Sequence, residues 1–133
     1  MLKIRNISKS YCNQKNNVLL PVLENISLNI KKGMIISILG ESGVGKSTFL
    51  NIVGGLIRPD NGYVSINNNK IKYDIDTSNL RINTFGYIFQ SHCLLNEFTV
   101  LENLILPQII ANEDHKTSLE RANKYLNLFQ MID

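Results

Sequence analysis

The chain has 133 residues, room for one domain with a real core and not for two. It is 44% hydrophobic and 19% charged with a net charge of +3, the balance of an ordinary globular protein. Lys31-Lys32 is the only adjacent Lys/Arg pair, so no basic stripe argues for nucleic acid as a partner.

Cys12 and Cys93 are two lone thiols without metal-type or disulfide-type spacing, as in a reducing compartment. Met1-Leu2-Lys3-Ile4-Arg5 lacks the apolar run of a signal peptide, and no window approaches a membrane span. A cytoplasmic protein is therefore expected. The abundance of Asn, as in Asn67-Asn68-Asn69, reads as a compositional bias with no functional meaning.

In chain order, Leu2 to Ser8 alternates like a half-buried strand, with Ile7 slightly out of step. A polar loop to Asn17 follows, then a second alternating run at Val22, Ile26, Leu28 and Ile30, ended by Lys31-Lys32-Gly33. Met34 to Leu39 is apolar on both faces, the pattern of a strand buried inside a parallel sheet. From Ser47 the period becomes helical, with Phe49, Leu50, Ile52, Val53 and Leu56 on one broad face. Arg58-Pro59-Asp60-Asn61-Gly62 is expected to stop that helix.

Tyr63–Ile66 and Ile71–Tyr73 then predict a hairpin around the Asn triplet, and Phe85–Phe89 a short strand closing at Gln90. Two helices complete the chain. Thr99-Val100-Leu101-Glu102 and Thr117-Ser118-Leu119-Glu120 both have the form of a capping box. Pro107 predicts a kink or break in the first, and Leu119, Ala122, Leu126 and Phe129 a stripe on the second. The sum is an α/β architecture.

Gly40-Glu41-Ser42-Gly43-Val44-Gly45-Lys46-Ser47-Thr48 matches the phosphate-loop pattern in full, between a predicted strand and a predicted helix. Its glycines permit backbone angles at which successive amides turn inward around phosphate oxygens. The helix start adds free N–H groups and a positive dipole end. Lys46 can reach the β- and γ-phosphates, the Ser47 hydroxyl can ligate Mg²⁺, and Thr48 can contact the α-phosphate region.

The flanking residues resemble the ATP-binding domain of ABC transporters. Ile7-Ser8-Lys9-Ser10-Tyr11 is similar to that family's opening strand and the aromatic that stacks on adenine. Val22–Leu28 with Lys32-Gly33, and Gly54 to Val64, are similar to its second strand and to the exit from its phosphate-loop helix. Phe85-Gly86-Tyr87-Ile88-Phe89-Gln90 looks like the strand ending in the Q-loop glutamine, which implies Gln90 as a second Mg²⁺ ligand and γ-phosphate sensor. Within the family, Val53–Leu56 and Leu94–Asn103 look most like the ATP-binding subunit of the lipoprotein-releasing system. Macrolide-export and cell-division ATPases share much of this stretch.

The resemblance implies a P-loop ATPase fold of the ABC type, a central sheet with an antiparallel β-subdomain, and ATP with Mg²⁺ as ligands. It implies integral membrane permease subunits against residues 91–103 and a second ATP-binding subunit head to tail. It also implies a peripheral place on the cytoplasmic face of the bacterial inner membrane. His92 is expected to be a loop residue near that contact, not a base.

Residues 1–133 hold no Leu-Ser-Gly-Gly signature, no four-residue apolar run ending in Asp-Glu, and no switch histidine on a later strand. Tyr73–Asp76 and Met131–Asp133 do not supply the carboxylates. The chain is thus expected to be an incomplete domain, the N-terminal part, with no catalytic residue of its own and no turnover. An uncovered sheet edge should make it prone to aggregate, with the terminal helices displaced or disordered. A small kinase or GTPase is the competing class, but Asn69-Lys70-Ile71-Lys72 lacks the Asp that would read guanine.

Overall fold

The computed structural model describes residues 1–14, 16–74 and 77–131. Ile75, Asp76, Ile132 and Asp133, parts of the two segments weighed above as carboxylate sources, lie outside the described residues. The chain forms two compact units, Met1–Arg81 and Ile82–Asp133.

The first unit carries an antiparallel sheet of order β2-β1-β3-β4. Its strands are β1 (Leu2–Asn13), β2 (Val18–Ile30), β3 (Asn61–Ile66) and β4 (Asn69–Lys70). Ile7 is out of step because Asn6 takes a left-handed φ of 49° and the β1–β2 register shifts between Ile4 and Ile7. The extra residue of this bulge brings Ile4 and Ile7 to the same face, and both are fully buried. Each fully buried Ile contributes roughly 1.5–3 kcal/mol.

Strands β1 and β2 run further than their alternation predicts, so Tyr11 stands in a strand, paired with Leu20, instead of a loop. The asparagines turn out to have a structural use. Asn6, Asn17, Asn25, Asn67, Asn68 and Asn112 all adopt positive φ, which Asn tolerates better than other side chains. Asn67-Asn68 form the two-residue turn of the β3–β4 hairpin, so the return strand starts at Asn69 and not at Ile71.

Helix α1 (Lys46–Val53) buries Phe49 and Ile52. Leu50 and Leu56, expected on the same face, are 56% and 43% exposed. The helix stops at Gly54-Gly55, before the predicted Arg58–Gly62 stop. There the Gly55 amide donates to the Ile52 carbonyl at 3.0 Å and the Leu56 amide to the Asn51 carbonyl at 2.8 Å. With Gly55 at φ 76°, this is a Schellman end. The Tyr73 hydroxyl donates to the Ile52 carbonyl at 2.6 Å and the Thr77 hydroxyl to the Gly55 carbonyl at 2.8 Å, which satisfies that end.

Met34–Leu39 departs most from expectation: it forms no strand ladder, and Ile35 and Leu39 are 94% and 89% exposed. A run apolar on both faces needs a strand on each edge and cover on each side, and no such partner occurs among the described residues. Among the described residues, the antiparallel sheet is the one sheet with ladders, and the strands expected for a central sheet are unpaired segments.

Helix α2 (Ser78–Thr84) spans the boundary between the units. In the second unit, Phe85–Phe89 also lacks a ladder. Its backbone is nonetheless extended enough to bring alternate rings together, Phe85 to Tyr87 at 5.9 Å and Tyr87 to Phe89 at 5.6 Å. Helices α3 (Val100–Ile110) and α4 (His115–Leu128) are both fully formed and pack together through Ile105, Ser118, Ala122 and Leu126. Pro107 stays inside α3 without breaking it. Helix α4 starts earlier than predicted: Asp114 is its cap, accepting from the Thr117 amide at 3.0 Å, so Thr117 lies inside the first turn. Phe129, expected in the buried stripe, is 68% exposed.

Candidate nucleotide site

The loop from Gly40 to Thr48 takes the backbone form its glycines allow. Gly40, Gly43 and Gly45 have φ of 157°, 83° and 103°. Gly45 is required on two counts: a Cβ there would lie 2.7 Å from Val22 Cγ1 and 3.0 Å from the Val22 carbonyl oxygen. A side chain there would need Val22 to give way, in addition to the strain of a left-handed φ. At Gly43 a Cβ would meet nothing within 4 Å, so open space lies over the middle of the loop.

Gly45 also caps α1, and no side chain bonds to the helix start or adds a carboxylate to its first turn. The first amides of α1 thus face outward with no side-chain acceptor, at the positive end of the helix dipole. Lys46 Nζ donates to the Gly40 carbonyl at 2.9 Å and the Glu41 carbonyl at 2.6 Å. Its partners are carbonyls and not carboxylates, so its charge is available to an anion and its stem is already bent over the loop. Glu41, Ser42, Val44 and Ser47 are exposed on the same segment, and Thr48 is half-buried. Amides, an ammonium and a hydroxyl, with no carboxylate in the first turn of α1, are the donor set of a phosphate cradle.

The same set fits a magnesium ion only in part. Among the described residues no group of three or more His, Cys, Asp and Glu could hold a metal. Mg²⁺ needs few protein ligands when phosphates and water complete its octahedron, and the exposed Ser47 hydroxyl is such a ligand.

Tyr11 belongs to the same unit as the loop. It pairs with Leu20, two residues from the Val22 that Gly45 touches. One strand spacing and two residues along the sheet, about 4.8 Å and about 7 Å, link the ring's backbone to the loop. Its side chain is 40% exposed. A mainly apolar cleft of about 440 Å³ between β2, residues 36–39 and Phe49 is lined by Leu23, Ile26, Leu28 and Ile38, and also by Gly45 and Lys46 of the loop.

Gln90 and His92 belong to the second unit, both exposed. His92 Nδ1 accepts from the Leu94 amide at 3.1 Å, which occupies it in shaping its own loop. Residues 94–99 are tied to α3 by Asn103. Its Nδ2 donates to the carbonyls of Leu95, Phe98 and Thr99 at 3.1, 3.1 and 3.0 Å, and its Oδ1 accepts from the Leu95 amide at 2.9 Å. Leu94, Leu95 and Phe98 are 55%, 43% and 42% exposed.

The parts that sequence reasoning missed are the supports: Val22 behind Gly45, Asp60 against β1, and Asn103 under the 94–99 loop. Only the last is local enough for spacing to have shown it.

The ABC transporter family profile matches residues 23–133. The lipoprotein-releasing system ATP-binding protein LolD of Rickettsia bellii is 42% identical over 128 residues, which is 96% of this chain and 55% of that protein. The dimeric structure of MJ0796, a bacterial ABC transporter cassette, is 37% identical with a TM-score of 0.83, covering 96% of this chain and 56% of that one. A post-hydrolysis state of the same cassette, bound to ADP and Pi, matches equally well. The chain spans about half the length of the curated relatives it matches. Phosphate loop, antiparallel β-subdomain and family match agree: this chain belongs to the ABC transporter ATP-binding family.

Proposed function

We propose that the chain binds ATP with Mg²⁺ as the front part of an ATP-binding subunit that drives lipoprotein release from the bacterial inner membrane. The observation that carries the reading is the uncapped start of α1, where the outward amides, Lys46 and Ser47 share one open loop. Tyr11 supplies a face for adenine. Ser47 would hold the metal through its exposed hydroxyl, and Gln90 is assigned to the metal on family resemblance alone. The names of the LolD relatives support the lipoprotein-releasing assignment.

Residues 91–103 are proposed to meet permease subunits, with Leu94, Leu95 and Phe98 as the apolar contact held in shape by Asn103. The MJ0796 dimer supports a second ATP-binding subunit as a further partner. The subunit would sit peripherally on the cytoplasmic face, and no helix described here is long and apolar enough to cross a membrane.

Residues 1–133 carry neither the signature motif nor an apolar run ending in Asp-Glu, so we take this chain to bind without turnover. Calorimetric titration tests the reading: Lys46→Ala should weaken MgATP binding about 30-fold or more, the scale of removing a charged hydrogen-bonding partner. Equal affinity of the two chains would remove the site assignment, and Lys46-dependent hydrolysis by the chain would overturn the no-turnover part.

A further inference from the structure

We propose that Asp60 is a positioning residue for adenine recognition, its carboxylate locking the end of β1 so that Tyr11 is held ready as a stacking platform. The inference rests on the adenine contact proposed for Tyr11.

The β1–β3 pairing ends at Ser8 and Asn61. Beyond that point β1 continues toward Tyr11 with no neighbouring strand on its β3 edge among the described residues, which leaves that edge unpaired. Asp60 replaces the missing neighbour. Its own amide donates to the Ser8 carbonyl at 2.9 Å. One carboxylate oxygen then accepts from the Ser10 amide at 2.7 Å, and the other from Lys9 Nζ at 2.6 Å. Both residues immediately before Tyr11 are therefore held by one side chain.

The cation so held has a second contact. Lys9 Nζ lies over the Tyr11 ring, 5.6 Å from its centroid. An ammonium at that distance attracts the ring and limits its rotation. Asp60 thus fixes the backbone leading into Tyr11 and the cation against its ring. A platform ordered before binding loses less side-chain freedom when the base arrives, which favours affinity for the base without touching the phosphates.

Asp60 is fifty residues from Ser10 in sequence, in the turn that leads from α1 into β3. The lower end of the nucleotide site and the support of its adenine end are consequently one continuous stretch, residues 40–60. The Lys9 side chain is 17% exposed and the Asp60 side chain 42%, so the ammonium end of the pair is partly shielded while the carboxylate meets solvent. The carboxylate's hold on β1 rests on the Ser10 amide as much as on the charge.

The test is the ratio of ATP affinity to inorganic triphosphate affinity, measured by titration of the full chain. Triphosphate uses the loop at 40–48 alone, so its binding also reports that the unit is folded. Asp60→Ala should lower the ratio about threefold to tenfold, a part of what a stacked base contributes. Lys9→Met, which keeps the apolar stem, should lower it less. An unchanged ratio in Asp60→Ala would overturn the proposal. If that variant loses triphosphate binding as well, Asp60→Asn and Lys9→Met decide on the same measure: a lowered ratio supports the proposal and an unchanged one overturns it. Tyr11→Ala separates the two layers. If it leaves the ratio unchanged, the adenine reading itself fails; if it lowers the ratio while the Asp60 variants do not, only the positioning role fails.

Discussion

The starts of α1 and α3 solve the same problem in opposite ways. Every helix begins with amides that lack an acceptor inside the helix. At α3 the chain supplies its own: the Thr99 hydroxyl accepts from the Glu102 amide at 3.2 Å, and the Glu102 carboxylate accepts from the Thr99 amide at 2.7 Å. At α1 the cap is Gly45, and no side chain takes the place of an acceptor. The closed start makes a rigid shoulder for an exposed apolar loop. The open start leaves its donors and its dipole for a ligand that must be an anion. An unsatisfied helix start marks a site only where the preceding loop also gives room, and the open space over Gly43 supplies that room.

Substitutions can break each half of this contrast. The largest effect should come from Gly45→Ala. Its methyl would collide with Val22 and its φ of 103° is strained for any side chain. We expect a loss of about 2–4 kcal/mol in denaturant unfolding together with loss of triphosphate binding. Retention of both would show that the loop does not depend on its contact with β2. Thr99→Ala should cost about 1 kcal/mol and leave triphosphate affinity as it was. A change in that affinity would mean that the two helix starts are not independent.

Acid should separate them with the smallest effect. The Glu102 carboxyl is held below its ordinary value of 4.5 by the Thr99 amide and hydroxyl. The Asp114 carboxyl is held below 3.8 by the Thr117 hydroxyl and amide. A group lowered on folding stabilises fully above its unfolded value, and that contribution disappears as pH falls through the lowered folded value. Amide protection relative to the intrinsic exchange rate should therefore fall at the starts of α3 and α4 below about pH 4, while the start of α1, which has no carboxylate cap, shows no such step. An equal loss of protection at all three would contradict the assignment of caps.

What the sequence revealed follows the range of the forces involved. The phosphate-loop pattern and the Thr99 capping box are local, fixed by residues at most eight positions apart. The capping box stands as read, and Gly40, Gly43 and Gly45 take the positive φ that the pattern calls for. Ile7 was legible as an irregularity, but its cause, the bulge at Asn6, depends on a partner strand. The stop of α1 was misplaced because Gly54-Gly55 reads equally as family motif and as helix end. Asp114 won over Thr117 because an Asp three residues before a free amide caps as well as a threonine does, and it gives the helix three more residues. Met34–Leu39 and Phe85–Phe89 have the composition of buried strands, yet composition supplies no partner, and a strand without a ladder is only an extended segment. The Asp60 and Val22 supports act across the fold and had no spacing to announce them.

The central claim is that the backbone amides from Gly43 to Thr48 grip a triphosphate. Its most direct test is an amide NMR titration of the chain with inorganic triphosphate and Mg²⁺. The account requires saturable shifts at Gly43 through Thr48 with little movement at Val100 to Asn103. Shifts confined to the α3 start, or none at the loop while triphosphate is bound, would contradict it.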